Sequence, residues 1–437
     1  MREYFVVNGG NQLTGTIDIQ GAKNEALEVI SAALLSDQPI TIHNLPDILD
    51  VREMLELIKY LGADIDRLDE HTYKIQTKNL SLECFDNPNF IDKAGRVRTS
   101  LLFAGPLLAR LGQARIIQPG GDQIGLRHID VHINGLCALG VQVQKEGEAL
   151  ELRTNGLTGT EIFMDEASVT ATANIVMAAV LAHGKTTIYP AACEPHIQQL
   201  CKMLNNMGAK IEGIGTNKLI IDGVKELGEA EHTIDPDIIE VASFIAIGAM
   251  TGNGIKLRNV ANCDYGAMFN AFSKLGVNVE KHGSDLFIPH HEHYKIQGTI
   301  SGNVITIYDQ IWPGLSPDIM SIALTIATQA DGQILFHQRM FEGRLFFTDQ
   351  LISMGANIVL CDPHRALVIG HDRKRSLSPS NIFTPDIRAG LALLIAALSA
   401  DGQSLIRNVV QIDRGYEKID KRLRSLGADI QRIPEET

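Results

Sequence analysis

One short phrase occurs six times along the chain: LGADI from Leu61, LGVQV from Leu139, MGAKI from Met207, LGVNV from Leu275, MGANI from Met354 and LGADI from Leu426. Successive copies start 68 to 79 residues apart. Each follows an amphipathic segment, such as VREMLELIKY before Leu61 or IQQLCKMLNN before Met207. The glycine is expected to end a helix in the left-handed conformation, and the alternation after it to begin a strand. A second phrase keeps step with the first: an alanine- and leucine-rich helix, a polar turn, then a β-rich strand, as in AAVLAHGKTTIYPA and LTIATQADGQILFHQ. Each unit therefore carries two helices and several strands. Units this long exceed the roughly 20–50 residues usual for solenoid repeats, so they are expected to pack as threes into globular domains.

A chain of 437 residues also exceeds what one core accommodates. The boundary falls near Thr233 to Asp237, after the third unit. The strand Tyr4 to Val7 precedes the first unit, and its pattern allows pairing with either half.

Net charge is −13, which argues against a nucleic-acid partner. No apolar run reaches membrane-spanning length, and MREYFVVNGG lacks the apolar core of a signal peptide, so a cytoplasmic protein without membrane insertion is expected. The six cysteines are scattered without a CxxC pair, against disulfides and structural zinc. From Lys93 to Arg127 the chain holds six basic residues against the single acid Asp122. On an acidic protein that run reads as a site for a small, highly charged anion.

Within this run lies PGGDQIGLR, Pro119 to Arg127. Two glycines after a proline allow the backbone to approach a ligand closely. An acid on such a loop, with a guanidinium five residues on, suits proton transfer beside a bound anion.

The six units, QGAKNEAL near the N-terminus, the PGG loop and IDRGYEKID near the C-terminus together resemble the enolpyruvyl transferases, in the branch acting on UDP-N-acetylglucosamine. The resemblance covers essentially the whole chain. It implies an α/β fold of two similar inside-out α/β barrels, three units each, with helices buried at the centre and the active site in the cleft between them. One domain would be 21–234, carrying the PGG loop, and the other 1–20 plus 235–437. The implied reaction moves the enolpyruvyl group of phosphoenolpyruvate to the sugar's 3-hydroxyl and releases phosphate, the first committed step of peptidoglycan synthesis. It calls for two small-molecule substrates and for neither cofactor nor metal, and it leaves the oligomeric state open.

That chemistry needs arginine and lysine for two polyanions, and carboxylates held in opposite protonation states. By resemblance the catalytic residues are Lys23, Asp122 and Asp318. Lys23 and Asn24 would touch phosphoenolpyruvate, as would Arg414 at its carboxylate. Arg98 would contact substrate and Arg127 the phosphate, because a guanidinium binds oxyanions in pairs and stays charged. Asp318 would be the base at the 3-hydroxyl, although an acid after Ser316 and Pro317 also suits a helix N-terminus without any chemistry. Asp386 and Arg388 match a further acid and base. The uridine pocket would take in Arg127, His128, Ile129, Asp130 and Val131, then Glu166, Ala167, Ser168 and Val169, with Met340 nearby.

Three departures from the commoner pattern stand out. Asp122 replaces a loop cysteine, SPDIM replaces PTDM around Asp318, and Gln411 replaces a common histidine before IDRGYE. An exposed aspartate titrates near about 4, so Asp122 would act as an acid only when closure and bound anions raise its pKa. A carboxylate is also a weak nucleophile toward an epoxide, so resistance to fosfomycin is expected. The sibling branch acting on shikimate 3-phosphate is disfavoured by GAKN and PGGDQIG. A binding protein without turnover is disfavoured by the joint presence of Lys23, Arg98, Asp122, Arg127, Asp318 and Arg414. His290, His291 and His293 are expected to face different ways rather than hold a metal. His128 and His132, four apart, lie beside Arg127, where a cation is out of place.

Overall fold

A computed structural model describes residues 3–435, apart from 118, 119, 121–124, 126, 127, 261 and 262. The chain forms two compact units. Among the described residues, one comprises those from 21 to 120 and from 128 to 235, and the other those from 3 to 20, residue 125 and those from 236 to 435. Each has its own hydrophobic core, and no buried apolar residue is shared between the two among those described.

The repeat phrase does what its chemistry suggests. Gly62, Gly140, Gly208, Gly276, Gly355 and Gly427 all have φ between +80° and +106°, each two residues past the end of the outer helix of its repeat. That region costs a side chain energy and glycine little, so the chain turns there from helix into strand.

Three helices fill the centre of each unit. In one they are Lys23–Ala32, Ala104–Leu111 and Val169–Ala179. In the other they are Ile238–Thr251, Pro317–Ala327 and Ile387–Ser399, which pack pairwise against one another. These last three are apolar almost all round, and nearly every residue is buried. Sheets surround them. Among the described residues there are six, three per unit, of which five have four strands and one has three.

One repeat shows the common wiring. Glu161–Phe163 leads into the central helix Val169–Ala179, and Lys185–Tyr189 returns parallel to the first strand, with Ile188 opposite Ile162. The outer helix Pro195–Asn206 then feeds Lys210–Glu212 and Leu219–Asp222, which extend the sheet antiparallel.

The first repeat of each unit borrows its leading strand. Leu13–Asp18 precedes helix Lys23–Ala32 in sequence yet runs parallel to Gly252–Arg258. Ala230–Thr233 precedes helix Ile238–Thr251 yet runs parallel to Ile40–His43. The chain therefore passes from unit to unit after Gln20 and after Asp235. The strand Glu3–Asn8 pairs antiparallel with Gln403–Arg407 and with Asp429–Pro434, which settles its place in the unit holding the C-terminal half.

Matching carboxylates tie down the crossing segments. Glu25 accepts the Asp235 N–H at 3.2 Å and pairs with His232 at 2.7 Å, while the Ala22 N–H donates to the Asp235 carbonyl at 2.8 Å. In the other unit Glu240 accepts the Gln20 N–H at 2.8 Å and pairs with Arg422, while the Asp237 N–H donates to the Gln20 carbonyl at 2.9 Å. Glu25 and Glu240 both sit in the first turn of a central helix, at most 1% exposed.

Candidate functional site

In the unit built from 21–235, Lys23 opens the first central helix. Its ammonium lies 2.6 Å from the Asp50 carboxylate, and both side chains are buried. Pairing compensates the cost of desolvating either charge. Asn24, next along, is exposed.

Arg98 begins a 3₁₀ turn, Arg98–Phe103, that leads into helix Ala104–Leu111. Asp130 and Val131 open helix Asp130–Ala138, with His128 and Ile129 immediately before it. His128 Nδ1 lies 3.5 Å from Asp130. Glu166 and Ala167 precede helix Val169–Ala179, Ser168 occupies its N-cap position, and Glu166 is exposed. Three segments read as substrate-binding thus all meet helix starts, where unsatisfied N–H groups and the helix dipole favour anions. Asp122 and Arg127 lie outside the described residues.

The basic run between Lys93 and Arg127 carries less free charge than its composition suggests. Lys93 pairs with Glu53 and Glu56, Arg96 with Asp92, and Arg115 with Glu151 and Asp86. Arg110 donates to the carbonyls of Leu34 and Thr77. Three of the six basic residues of the expected positive patch are thus paired with acids.

In the other unit the candidate residues converge. Asp318 lies in the first turn of helix Pro317–Ala327, capped by Ser316, which accepts the Asp318 N–H at 3.3 Å. Its carboxylate meets two guanidinium groups: Arg344 at 2.5 Å through Oδ1 and Arg388 at 3.1 Å through Oδ2. Both the capping role and a chemical role remain compatible with this position. Asp386 caps helix Ile387–Ser399 by accepting from the N–H groups of Arg388 and Ala389, and it lies 3.7 Å from Arg344. Arg388 is buried; it donates to the Tyr416 hydroxyl at 3.3 Å, which in turn contacts Ser243 at 3.0 Å. Burial pushes the Tyr416 phenol up to about 12.

Arg344 was not singled out from the sequence. It follows Met340 by four residues in an irregular stretch, FEGRLFF, and its partners Asp318 and Asp386 are remote in sequence. Asp50 was missed likewise.

Met340 is exposed, and its N–H donates to Asp309 at 3.2 Å. The same fully buried carboxylate accepts the Arg339 N–H at 2.5 Å and the Gln338 amide, so the turn before Met340 is held from beneath. Arg414 donates to Gln411 at 2.9 Å, which puts one of the departing residues against a candidate ligand. The histidines of PHHEHY diverge: His290 meets the Gly252 carbonyl, His291 accepts the Asn278 N–H and His293 faces Asp372. Among the described residues no helix is long and apolar enough to cross a membrane.

The family model for EPSP synthase (3-phosphoshikimate 1-carboxyvinyltransferase) matches residues 7–423. A UDP-N-acetylglucosamine 1-carboxyvinyltransferase from Porphyromonas gingivalis is 51% identical, over 98% of this chain and 99% of its own length. One of the same name from Treponema denticola is 46% identical, over 99% of each. Among solved structures, the enolpyruvyl transferase NikO from Streptomyces tendae superposes with a TM-score of 0.87 at 21% identity, over 100% of both chains. EPSP synthase from Acinetobacter baumannii gives 0.74 at 17% identity, over 99% of this chain and 100% of its own.

Proposed function

Because this chain belongs to the EPSP synthase family of enolpyruvyl transferases, we propose that it transfers the enolpyruvyl group of phosphoenolpyruvate to the 3-hydroxyl of UDP-N-acetylglucosamine, releasing phosphate. The observation that carries the choice of acceptor is the near-full-length identity to relatives of that name, which far exceeds the likeness to the shikimate enzyme. The product feeds peptidoglycan synthesis, and a cytoplasmic location goes with that reading.

The assigned roles follow charge and position. Lys23, Asn24 and Arg414 bind phosphoenolpyruvate, with Lys23 held ready by Asp50 and Arg414 oriented by Gln411. Arg98, the 127–131 and 166–169 segments and Met340 bind the nucleotide sugar. Asp122 delivers the proton to the enol methylene and Arg127 binds phosphate, both assigned from the sequence alone.

Asp318 takes the proton of the attacking 3-hydroxyl. Arg344 and Arg388 each hold one of its carboxylate oxygens, which fixes the position of the acceptor. In the elimination the new methyl group gives back a proton as the C–O bond to phosphate breaks, and the proton taken from the hydroxyl leaves with the phosphate as hydrogen phosphate, which resets Asp318. Asp386 holds Arg344 and the backbone of Arg388 in place.

A phosphate-release assay with phosphoenolpyruvate and each acceptor tests the reading. Release is expected with UDP-N-acetylglucosamine and not with shikimate 3-phosphate; the reverse preference overturns it.

A further inference from the structure

We infer that Asn174, acting with His132, is a positioning residue that sets the relative placement of the three segments assigned to the nucleotide sugar. The inference rests on the function proposed above for those segments. Neither side chain is an exposed group waiting for a ligand: Asn174 is fully buried and His132 is 2% exposed.

The hydrogen bonds admit one arrangement. The Gly105 N–H donates to Asn174 Oδ1 at 2.6 Å, and Asn174 Nδ2 donates to the Leu101 carbonyl at 3.0 Å. A backbone N–H requires an acceptor and a carbonyl requires a donor, so the amide cannot be flipped. Its remaining N–H points at His132 Nδ1, 3.2 Å away. That nitrogen must therefore carry the lone pair. The ring proton then sits on Nε2 and is donated to the Thr170 hydroxyl at 3.0 Å. The imidazole is neutral: burial, aided by the nearby Arg98 charge, holds its pKa down to about 3.

This chain of bonds spans the three segments. Leu101 and Gly105 flank the end of the turn that Arg98 begins. His132 follows directly on Asp130 and Val131 in its helix, and Thr170 follows directly on Val169. Asn174 itself lies one turn further along that last helix. Packing supports the arrangement, since a Cβ at Gly105 would fall 2.3 Å from the Asn174 carbonyl oxygen and 2.7 Å from its Oδ1. Satisfied buried polar networks of this kind fix one geometry, because every alternative leaves a donor or acceptor unmet.

The test is Asn174→Asp, which keeps the shape and the Gly105 bond but turns two donors into acceptors. The new carboxylate oxygen faces the Leu101 carbonyl and the lone pair of His132; the ring can answer by carrying its proton on Nδ1 and accepting from the Thr170 hydroxyl, but the Leu101 carbonyl is left without its donor. The KM for UDP-N-acetylglucosamine is expected to rise about tenfold or more at about pH 6 and about pH 8 alike, the loss of about one buried hydrogen bond. kcat and the KM for phosphoenolpyruvate are expected to stay near the unmutated values. An unchanged nucleotide-sugar KM across that range overturns the inference. So does an equal loss in both KM values and kcat at every pH, which marks general packing damage. Should Asn174→Asp not fold, Thr170→Val removes the Nε2–H acceptor at constant volume and carries the same selective expectation. Nitrogen NMR of the ring in the unmutated protein gives a readout independent of activity. A neutral Nε2–H tautomer is expected down to about pH 5, and an Nδ1–H tautomer overturns the network even where turnover is normal. Conversely, absence of turnover in the unmutated protein with the expected tautomer present overturns the functional reading alone.

Discussion

Lys23 and Asp50 form an ion pair of 2.6 Å in which neither side chain is more than 8% exposed. Removing one partner from such a pair leaves the other charge buried and uncompensated, which typically costs about 3–5 kcal/mol. Asp50→Ala is therefore expected to lower unfolding free energy by about that amount in urea titrations, with Asp50→Asn losing less because an amide still hydrogen-bonds. The same change removes the partner that holds the Lys23 ammonium in place, so the KM for phosphoenolpyruvate should worsen. A stable Asp50→Ala protein with normal phosphoenolpyruvate KM contradicts this.

Asp318→Asn keeps the contacts of one oxygen but cannot take a proton. Turnover is expected to fall by about 10²–10⁴, the range of general base catalysis, with little change in either KM. Arg344→Met frees one Asp318 oxygen from its guanidinium partner, and kcat is expected to fall with little change in either KM. If kcat stays put, Arg344 is structural only.

Glu25 gives a stability prediction with a definite sign. Burial raises its carboxyl from the ordinary 4.5 to about 7, opposed by the His232 contact, while Asp235 adds to the rise. Glu28, wholly buried beside it and near Glu194, shifts the same way, and His196 lies 3.7 Å from it. The folded state therefore binds the Glu25 proton more tightly than the unfolded chain does. Its contribution is full below about 4.5 and is lost as pH rises through about 7. Glu25→Gln cannot lose a proton, so its stability relative to the unmutated protein should climb from pH 5 to pH 8. Urea midpoints that converge or cross in the other direction defeat the assignment.

The repeat glycines differ in what surrounds them. A Cβ at Gly62 would fall 2.2 Å from the Asn79 carbonyl oxygen, while at Gly208 nothing lies within 4 Å. Both have positive φ, at +95° and +106°. Gly208→Ala should thus cost only the backbone strain, roughly 1–3 kcal/mol, and Gly62→Ala clearly more. Equal melting temperatures for the two variants would count against the clash.

Asp122 marks the boundary with drug chemistry. The unmutated chain is expected to keep full activity after incubation with fosfomycin, and Asp122→Cys to retain some turnover but become covalently inactivated. Mass spectrometry locates the adduct; finding one on Asp122 itself would refute the expectation.

Much of the fold was legible because its signals are local. A glycine after an amphipathic helix needs positive φ whatever surrounds it, and six copies announce six repeats. Alanine- and leucine-rich helices without a polar face have nowhere to go but the centre of a unit. Lys23, Asp318 and Arg388 were proposed as site residues from their motifs. Partners were not. Leu13–Asp18 leaves the helix that follows it to pair with Gly252–Arg258, a choice made by sheet edges far apart in sequence. The Lys93–Arg127 run looks like an anion patch until Glu53, Glu56 and Glu151 fold against it. Asp50, Arg344 and Asn174 carry no motif; they matter because folding places them within hydrogen-bond reach of Lys23, Asp318 and His132. Local conformational preference is written residue by residue, whereas desolvation and charge pairing depend on which distant groups are brought together, and only the tertiary structure decides that.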